Sequence, residues 1–197
     1  MHFKISFILI LLISQNSFSQ QIVCSAQDSA AFETKIEAFQ KLPMETMGNT
    51  IVTVGKSFLG TPYVAKTLEI GETEALVINL QGLDCTTFIE NVLAFSLMFT
   101  KEQTDFNDFT KTLETIRYKD GKLNSYPSRL HYFSEWIANN QLKGLLKDIT
   151  AEIGGTPMTK EINFMSTHRD LYPFLKNNDE NLAEIKASEN YLNSQEI

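Results

Sequence analysis

One short segment of the 197-residue sequence carries residue types suited to nucleophilic chemistry. Cys85 lies in segment 83–88, which reads LDCTTF, between a predicted strand and loop and a predicted helix. The N-terminus of a helix has a partial positive charge and free backbone N–H groups, and both favour the thiolate, the nucleophilic form of cysteine. The same N–H groups can stabilise the oxyanion that forms when a thiolate attacks an amide carbonyl. Asp84, one position earlier, is suited to cap the helix.

Two other interpretations of Cys85 follow from the residue type alone. Most free cysteines are buried and behave as small apolar residues. The chain has one other cysteine, Cys24, and two cysteines in an exported protein can pair as a disulfide. The position of Cys85 therefore leaves three roles open: a nucleophile, a core residue or a disulfide partner.

Hydrophobic periodicity predicts a mixture of helices and strands around this segment. Phe88, Val92, Phe95 and Phe99 recur at helical spacing and predict a helix that is apolar on most sides and therefore buried. No repeat or linker divides the chain, so residues 21–197 are predicted to form one domain. Further predicted elements are helices over 29–42, 46–59, 106–116 and 130–137, strands over 63–65 and 75–80, and a strand or short helix over 144–153; from 177 onward the chain is polar.

Residues 1–20 have the pattern of a secretory signal peptide. A lysine precedes an apolar run over 5–13, which is far shorter than the roughly 20 residues that a membrane-spanning helix needs. Small residues near the end of the segment predict cleavage after Ser19 or Gln20. We therefore expect export across the inner membrane, with the periplasm as the compartment. Lipidation at Cys24 is the alternative, although the residue before it is a valine rather than a small residue.

Composition excludes several classes of protein. The chain is 43% hydrophobic and 11% aromatic, which is too apolar for a disordered chain. Its formal net charge is -7 and its pI is about 5.0, and this argues against nucleic-acid binding through phosphate contacts. After the signal peptide no apolar run approaches membrane length, so we expect no membrane association of the mature chain.

Several motifs together resemble a group of cell-wall enzymes. Segment 60–64, GTPYV, followed by Leu68 and Glu69 and then by segment 83–91, LDCTTFIEN, resembles the NlpC/p60 superfamily of papain-like cysteine peptidases, in which a G-x-P-Y segment precedes a D-C nucleophile. Further stretches resemble one branch, the N-acetylmuramoyl-L-alanine amidase-like family, so that the resemblance extends over roughly residues 45–175. Those stretches are 118–121 (YKDG), 126–137 (YPSRLHYFSEWI) and 162–168 (INFMSTH).

The resemblance implies an α+β, papain-like fold whose helical N-terminal half carries the nucleophile helix. It also implies that the enzyme cleaves the N-acetylmuramoyl-L-alanine amide bond of peptidoglycan fragments (muropeptides), without a metal or an organic cofactor. The implied site residues are Cys85 as the nucleophile, Tyr63 as a hydrogen-bonding residue near it, Asp84 and Thr86 as flanking residues that bind the stem peptide, and Ser128, Arg129 and His131 as residues of the substrate pocket.

Arg129 and His131 each have a simpler alternative role. The planar guanidinium of an arginine pairs bidentately with carboxylates, so Arg129 suits the carboxylates of a stem peptide. The alternative for Arg129 is a structural salt bridge. The alternative for His131 is a packed residue whose hydrogen bonds are satisfied within the protein.

The general base is the element of the family pattern that this sequence does not match. A cysteine hydrolase normally needs a histidine beside the nucleophile, and in the superfamily that histidine stands on a strand. His131 and His168 follow Cys85, but neither lies in a predicted strand. We therefore expect the chain to be C-terminally truncated, with the sheet strands missing and the base beyond residue 197. The alternative function is a muropeptide-binding or remnant protein that lacks the base.

Overall fold

The computed structural model describes residues 21–43, 46–158 and 160–195, so the predicted signal peptide lies outside the described residues. Helices and a small sheet alternate along the chain. The elements are β1 (Ile22–Cys24), α1 (Ala26–Phe39), α2 (Met47–Lys56), β2 (Leu76–Ile78), α3 (Cys85–Thr100), α4 (Phe106–Arg117), α5 (Phe133–Leu142), α6 (Phe164–Thr167), α7 (Pro173–Lys176) and α8 (Asp179–Asn193), with short 3-10 turns at Lys119–Gly121, Tyr126–Ser128 and Arg169–Leu171.

The sheet has two parallel strands, in which Ile22 pairs with Leu76 and Cys24 pairs with Ile78. The strand predicted over 75–80 is thus confirmed as β2, whereas the one predicted over 63–65 is reduced to a single bridge between Tyr63 and Leu83. The α+β class is confirmed in the sense of a mostly helical chain with a small sheet. The papain-like arrangement of the fold stays a prediction.

Helix α1 is fixed at its N-terminus by side chains. Ser25 caps it, and Asp28 completes a capping box by accepting the Ser25 backbone N–H. The other carboxylate oxygen of Asp28 accepts the Leu80 backbone N–H at 2.7 Å, which ties the helix to the loop after β2. Because of these contacts the helix begins at Ala26, three residues before its predicted start at residue 29.

Helix α3 lies at the centre of the core, as its apolar sequence predicts. Phe95 is 1% exposed, and its ring lies within 4.6 to 6.2 Å of four other phenylalanine rings. Those rings come from α1, α4 and the turn after α2, so one residue of α3 links three parts of the chain. They belong to Phe32, Phe39, Phe58 and Phe109.

A buried ion pair joins α3 to α4 beneath the sheet. Arg117 donates from Nε to Glu90 Oε2 at 2.7 Å and from Nη1 to the Val77 carbonyl at 2.6 Å. Both charged side chains are 2% exposed. The next residue, Tyr118, donates to Glu74 Oε1 at 2.8 Å, so two consecutive residues tie the end of α4 to the region of β2.

The C-terminal part departs from the sequence expectations. Residues 144–153 form turns rather than a strand or a helix, and the polar segment after 177 forms α8. Leu182, Ile185 and Leu192 of α8 are buried. Glu189, on the same face, accepts hydrogen bonds from Tyr132 Oη at 2.6 Å and from the Ser166 backbone N–H at 3.0 Å.

Among residues 21–43, 46–158 and 160–195, no helix combines the length and the hydropathy needed to cross a lipid bilayer.

Candidate active site

Cys85 is the first residue of α3, and a capping box fixes the backbone around it. Asp84 Oδ1 accepts both the backbone N–H and the hydroxyl of Thr87 at 2.8 Å. In return, Thr87 Oγ1 accepts the Asp84 backbone N–H at 2.9 Å. The expectation that Asp84 caps this helix is therefore confirmed.

The capping box leaves two backbone donors unused beside the thiol. The first N–H groups of a helix have no partner inside the helix. Here those of Asp84 and Thr87 are used by the capping box, whereas those of Cys85 and Thr86 meet no acceptor within the described residues. Both groups point out of the helix N-terminus, where an oxyanion would be stabilised.

The thiol of Cys85 is exposed and free. Its Sγ lies 4.0 Å from Thr86 Oγ1. Cys24 is also free and half-buried, with its Sγ 3.4 Å from Ser29 Oγ. Neither the core role nor the disulfide considered for Cys85 is therefore present in the structure.

A polar pocket of about 190 Å³ adjoins the first two turns of α3. Three further parts of the chain complete it: the loop before β2, the segment after the second 3-10 turn, and the third 3-10 turn. The lining residues are Asp84, Thr86, Thr87 and Glu90 of α3, together with Lys66–Glu69, Arg129–His131, Leu171 and Tyr172. We call this the α3 pocket.

Arg129 lines the α3 pocket, but its charge is already paired within the protein. The residue is 5% exposed. Its Nη2 donates to Glu69 Oε1, and its Nε lies 3.4 Å from Glu74 Oε1. Although burial lowers the pKa of Arg129, Glu74 and Glu69 raise it more, so the guanidinium stays charged. The structural salt bridge that the sequence left open is thus present.

His131 lines the pocket as a neutral ring. Its Nε2 lies 2.9 Å from the Tyr126 carbonyl oxygen, and because a carbonyl can only accept, Nε2 carries the proton. Burial, and then the positive charge of Arg129, hold the pKa of His131 well below its usual value of 6.5. Nδ1 is therefore left as a hydrogen-bond acceptor near neutral pH.

Three residues expected at the site, Cys85, Tyr63 and Ser128, lie outside the lining of the pocket, although Cys85 stands between the lining residues Asp84 and Thr86. Tyr63 is 73% exposed and bridges to Leu83, two residues before Cys85. Ser128 is buried, and its hydroxyl closes the preceding turn: it accepts the backbone N–H groups of Asn124 and Ser125 at 3.1 and 3.2 Å and donates to the Ser125 carbonyl at 2.6 Å. The structure thus brings Asp84, Thr86, Arg129 and His131 together around the pocket and leaves Cys85, Tyr63 and Ser128 out of its lining.

The bonds of Ser128 lead to a stability prediction. Ser128→Ala leaves two N–H groups without an acceptor, so we expect the free energy of unfolding to fall by about 1–2 kcal/mol. Urea denaturation measures this change. Ser194→Ala is the matched control, because Ser194 is exposed and its hydroxyl bonds only to near neighbours, the Tyr191 carbonyl and the Gln195 side chain; its effect should stay within about 0.5 kcal/mol. Equal effects of the two substitutions would contradict the structural role of Ser128.

Sequence reasoning missed several residues of the pocket. Leu68, Glu69 and Glu90 belong to the stretches that resemble the superfamily, but the resemblance implies no role for them. Leu171 and Tyr172 follow the motif that ends at His168, an exposed residue hydrogen-bonded to Phe164 O, and no signal in the sequence marks them. Within the ranges that the structure describes, no three His, Cys, Asp or Glu side chains are placed to hold a metal ion.

The chain matches one protein family and several solved structures. The profile of the N-acetylmuramoyl-L-alanine amidase-like family matches residues 53–196. A crystal structure of an N-acetylmuramoyl-L-alanine amidase from Bacteroides uniformis is 39% identical, with a TM-score of 0.73, and the match covers 78% of this chain and 64% of that chain. A Bacteroides fragilis protein that carries the provisional name xylanase is 44% identical, with a TM-score of 0.69 and coverages of 74% and 63%.

A Legionella pneumophila protein, LPG0564, shares the fold at 23% identity and a TM-score of 0.57, with coverages of 85% and 60%. No protein of curated function matches this chain at a significant level. The chain spans less than two thirds of the length of the solved structures that it matches. Because the family profile covers most of the sequence, the chain belongs to the N-acetylmuramoyl-L-alanine amidase-like family.

Proposed function

We propose that this chain carries the nucleophile of an exported hydrolase that cleaves the amide bond between N-acetylmuramic acid and L-alanine in peptidoglycan fragments. The observation that carries the proposal is the exposed thiol of Cys85 at the capped N-terminus of α3, beside a polar pocket. The amidase name of the Bacteroides uniformis relative supports the bond. The signal-peptide pattern of residues 1–20 supports export to the periplasm.

The chemistry follows from the arrangement at the helix N-terminus. The Cys85 thiolate attacks the lactyl carbonyl carbon and forms an S–C bond, while the free N–H groups of Cys85 and Thr86 hold the oxyanion. The C–N bond then breaks, and the amine of L-alanine leaves with a proton. Water attacks the thioester, which releases the carboxylic acid and restores the thiol. A general base takes the proton of the thiol and returns it to the leaving amine, and water then supplies the hydroxyl of the acid and the proton of the restored thiol.

We further propose that the proton acceptor for Cys85 is not among the described residues. His131 is neutral but a weak base, because its pKa is lowered and its Nε2 is bound to the Tyr126 carbonyl. His168 is exposed, lies outside the lining of the α3 pocket and bonds to Phe164. An efficient general base needs a pKa near the working pH and contact with the nucleophile.

The xylanase name of the Bacteroides fragilis relative raises glycoside hydrolysis as another reaction. That reaction normally needs two carboxyl groups, one as the acid and one as the nucleophile or base. In the α3 pocket Asp84 caps a helix, Glu69 pairs with Arg129, and Glu90 pairs with Arg117. With these carboxylates engaged, the geometry favours the thiol over carboxylate chemistry.

Binding without catalysis is the second candidate function. It is favoured by the placement of the two histidines that follow Cys85, since His131 is bound to the Tyr126 carbonyl and His168 lies outside the lining of the α3 pocket. A muropeptide would then occupy the α3 pocket without being cleaved.

Product analysis separates these functions. Incubation with N-acetylmuramoyl-L-Ala-D-isoGln, followed by mass spectrometry, should show free N-acetylmuramic acid and a dipeptide with a free L-alanine amine. Release of a product cut at the following peptide bond would show an endopeptidase instead. An intact substrate that still binds, measured by calorimetry, would show the binding protein.

A further inference from the structure

Glu74, in the loop before β2, carries a buried carboxyl group that the proposed reaction does not use. Its side chain is 3% exposed. Its Oε1 lies 2.8 Å from Tyr118 Oη and 3.4 Å from Arg129 Nε, and its Oε2 is buried with no donor among the described residues. An ionised carboxylate in the interior needs donors to offset the hydration that it loses. Half of this carboxyl group lacks them, so Glu74 is poorly stabilised as an anion.

The contacts of Tyr118 indicate where a proton on Glu74 would go. Tyr118 Oη lies 2.8 Å from Glu74 Oε1 and 3.1 Å from the Ala75 carbonyl oxygen. A phenol has one proton, and burial raises the pKa of Tyr118, so with an ionised Glu74 this proton is shared between two acceptors. When Oε1 is protonated, the carboxyl donates to Tyr118 Oη, and the phenol proton is free to serve the Ala75 carbonyl. Both contacts are then complete hydrogen bonds.

The charges that face Glu74 also favour a neutral acid. Arg129 lies beside it, but this guanidinium pairs with Glu69 as well. Arg117 faces it from the end of α4 and is already paired with Glu90. Two carboxylates therefore share one guanidinium, and like charges at one site raise each other's pKa. Burial, which is the largest cause, raises the pKa of Glu74 to about 7 against the opposing charge of Arg129.

We propose that Glu74 is a neutral acid in the folded protein near neutral pH, and that it positions the wall of the α3 pocket by leaving Arg129 to Glu69. Glu69 and Arg129 line the pocket, whereas Glu74 lies outside the lining, so it acts through the guanidinium. Loss of the proton makes Glu74 a competitor for Arg129 and weakens the hold on Glu69. Tyr126, which also faces this cluster, stays neutral because burial raises its pKa.

The proton makes the stability of the fold depend on pH. The pKa of Glu74 is about 7 in the folded chain and about 4.5 without burial, so the folded state binds the extra proton between these values. The stabilisation is complete below the lower value and is lost as the pH rises through the upper one. From about pH 6 to about pH 8, this group alone raises the equilibrium constant of unfolding about tenfold. His131 acts in the opposite direction, because its pKa is lowered in the folded chain.

The first test compares urea denaturation of the unchanged protein with that of Glu74→Gln at about pH 6 and about pH 8. Glutamine has the shape of the neutral acid and cannot ionise, so the variant should lack the tenfold rise. The effect of His131 is common to both proteins and cancels in the ratio of their unfolding constants. Glu72→Gln, which changes an exposed residue of the same loop, is the matched control and should behave as the unchanged protein. An equal pH dependence in Glu74→Gln and the unchanged protein would overturn the proposal.

Spectroscopy of the unchanged protein keeps the test independent of how any variant folds. Exposed glutamates are ionised at about pH 6, so the infrared band of a protonated carboxyl group that persists there and disappears by about pH 8.5 reports a buried acid. His131 lines the pocket and senses the charge of Arg129, so its ring nitrogens should shift in NMR spectra with a midpoint at about pH 7 while the ring stays neutral. The absence of the band would overturn the neutral acid, and a band without the shift would overturn its effect on the pocket wall. Neither measurement uses a substrate, so both outcomes are distinct from a failure of the reaction proposed for Cys85.

Discussion

Cys85→Ala is expected to lower the rate of muropeptide hydrolysis by at least about a thousandfold. In the proposed reaction the thiolate forms the covalent intermediate, and alanine has no group that can replace it. The side chain is exposed and makes no close contact, so the fold should not change. The measurement is the release of N-acetylmuramic acid at saturating substrate, with melting temperatures recorded for both proteins.

Cys24→Ala is the matched control, since Cys24 is the other free cysteine of the chain. Cys24 lies in β1, and its thiol is next to the hydroxyl of Ser29 in α1. It has no part in the proposed site. We expect this variant to keep the rate within about twofold. A Cys85→Ala protein that hydrolyses at the rate of the unchanged protein would rule out the cysteine mechanism.

Arg117→Met is expected to lower the free energy of unfolding by about 3–5 kcal/mol. The substitution leaves the Glu90 carboxylate buried without a counter-charge, and it removes the donor to the Val77 carbonyl. Breaking one side of a buried pair costs more than removing the whole pair, because the remaining charge is still desolvated. Urea denaturation followed by circular dichroism measures the change.

Two further variants complete this test. Arg117→Met combined with Glu90→Leu should be more stable than Arg117→Met alone, since no unpaired charge remains. Lys147→Met breaks an ion pair with Glu152 in which the side chains are 69% and 59% exposed, and its cost should stay below about 1 kcal/mol. If Arg117→Met cost no more than Lys147→Met, the buried pair would not stabilise the fold.

Helices with a strong apolar period were predictable from the sequence. The phenylalanines of α3 and α4 place both helices correctly, because each must bury a continuous face. Helix α8 was not predicted, because Glu189 lies on the same buried face as Leu182, Ile185 and Leu192. The charged residue interrupts the helical spacing of apolar residues in the sequence. The glutamate is tolerated there because Tyr132 and Ser166 satisfy it, and these bonds join segments far apart in the sequence.

The site was predictable only in part, for a similar reason. Local sequence indicated that Asp84 would cap the helix that Cys85 begins, since both lie in one segment. The pairing of Arg129 with Glu69 and Glu74 depends on residues 60 and 55 positions away along the chain, so no local pattern shows it. The guanidinium therefore suggested a ligand contact as readily as a salt bridge, whereas its partners lie within the protein.

The short strand β1 bears on the proposed export and processing of the chain. A lipid-anchored protein is cut immediately before the cysteine that receives the lipid, which here would remove Ile22 and Val23. Those are two of the three residues that pair with β2, so maturation at that bond would leave β2 without its neighbour in the sheet. Cleavage after Ser19 or Gln20 keeps the whole strand. The pairing of β1 with β2 therefore supports cleavage after Ser19 or Gln20, rather than before Cys24, as part of the proposed export.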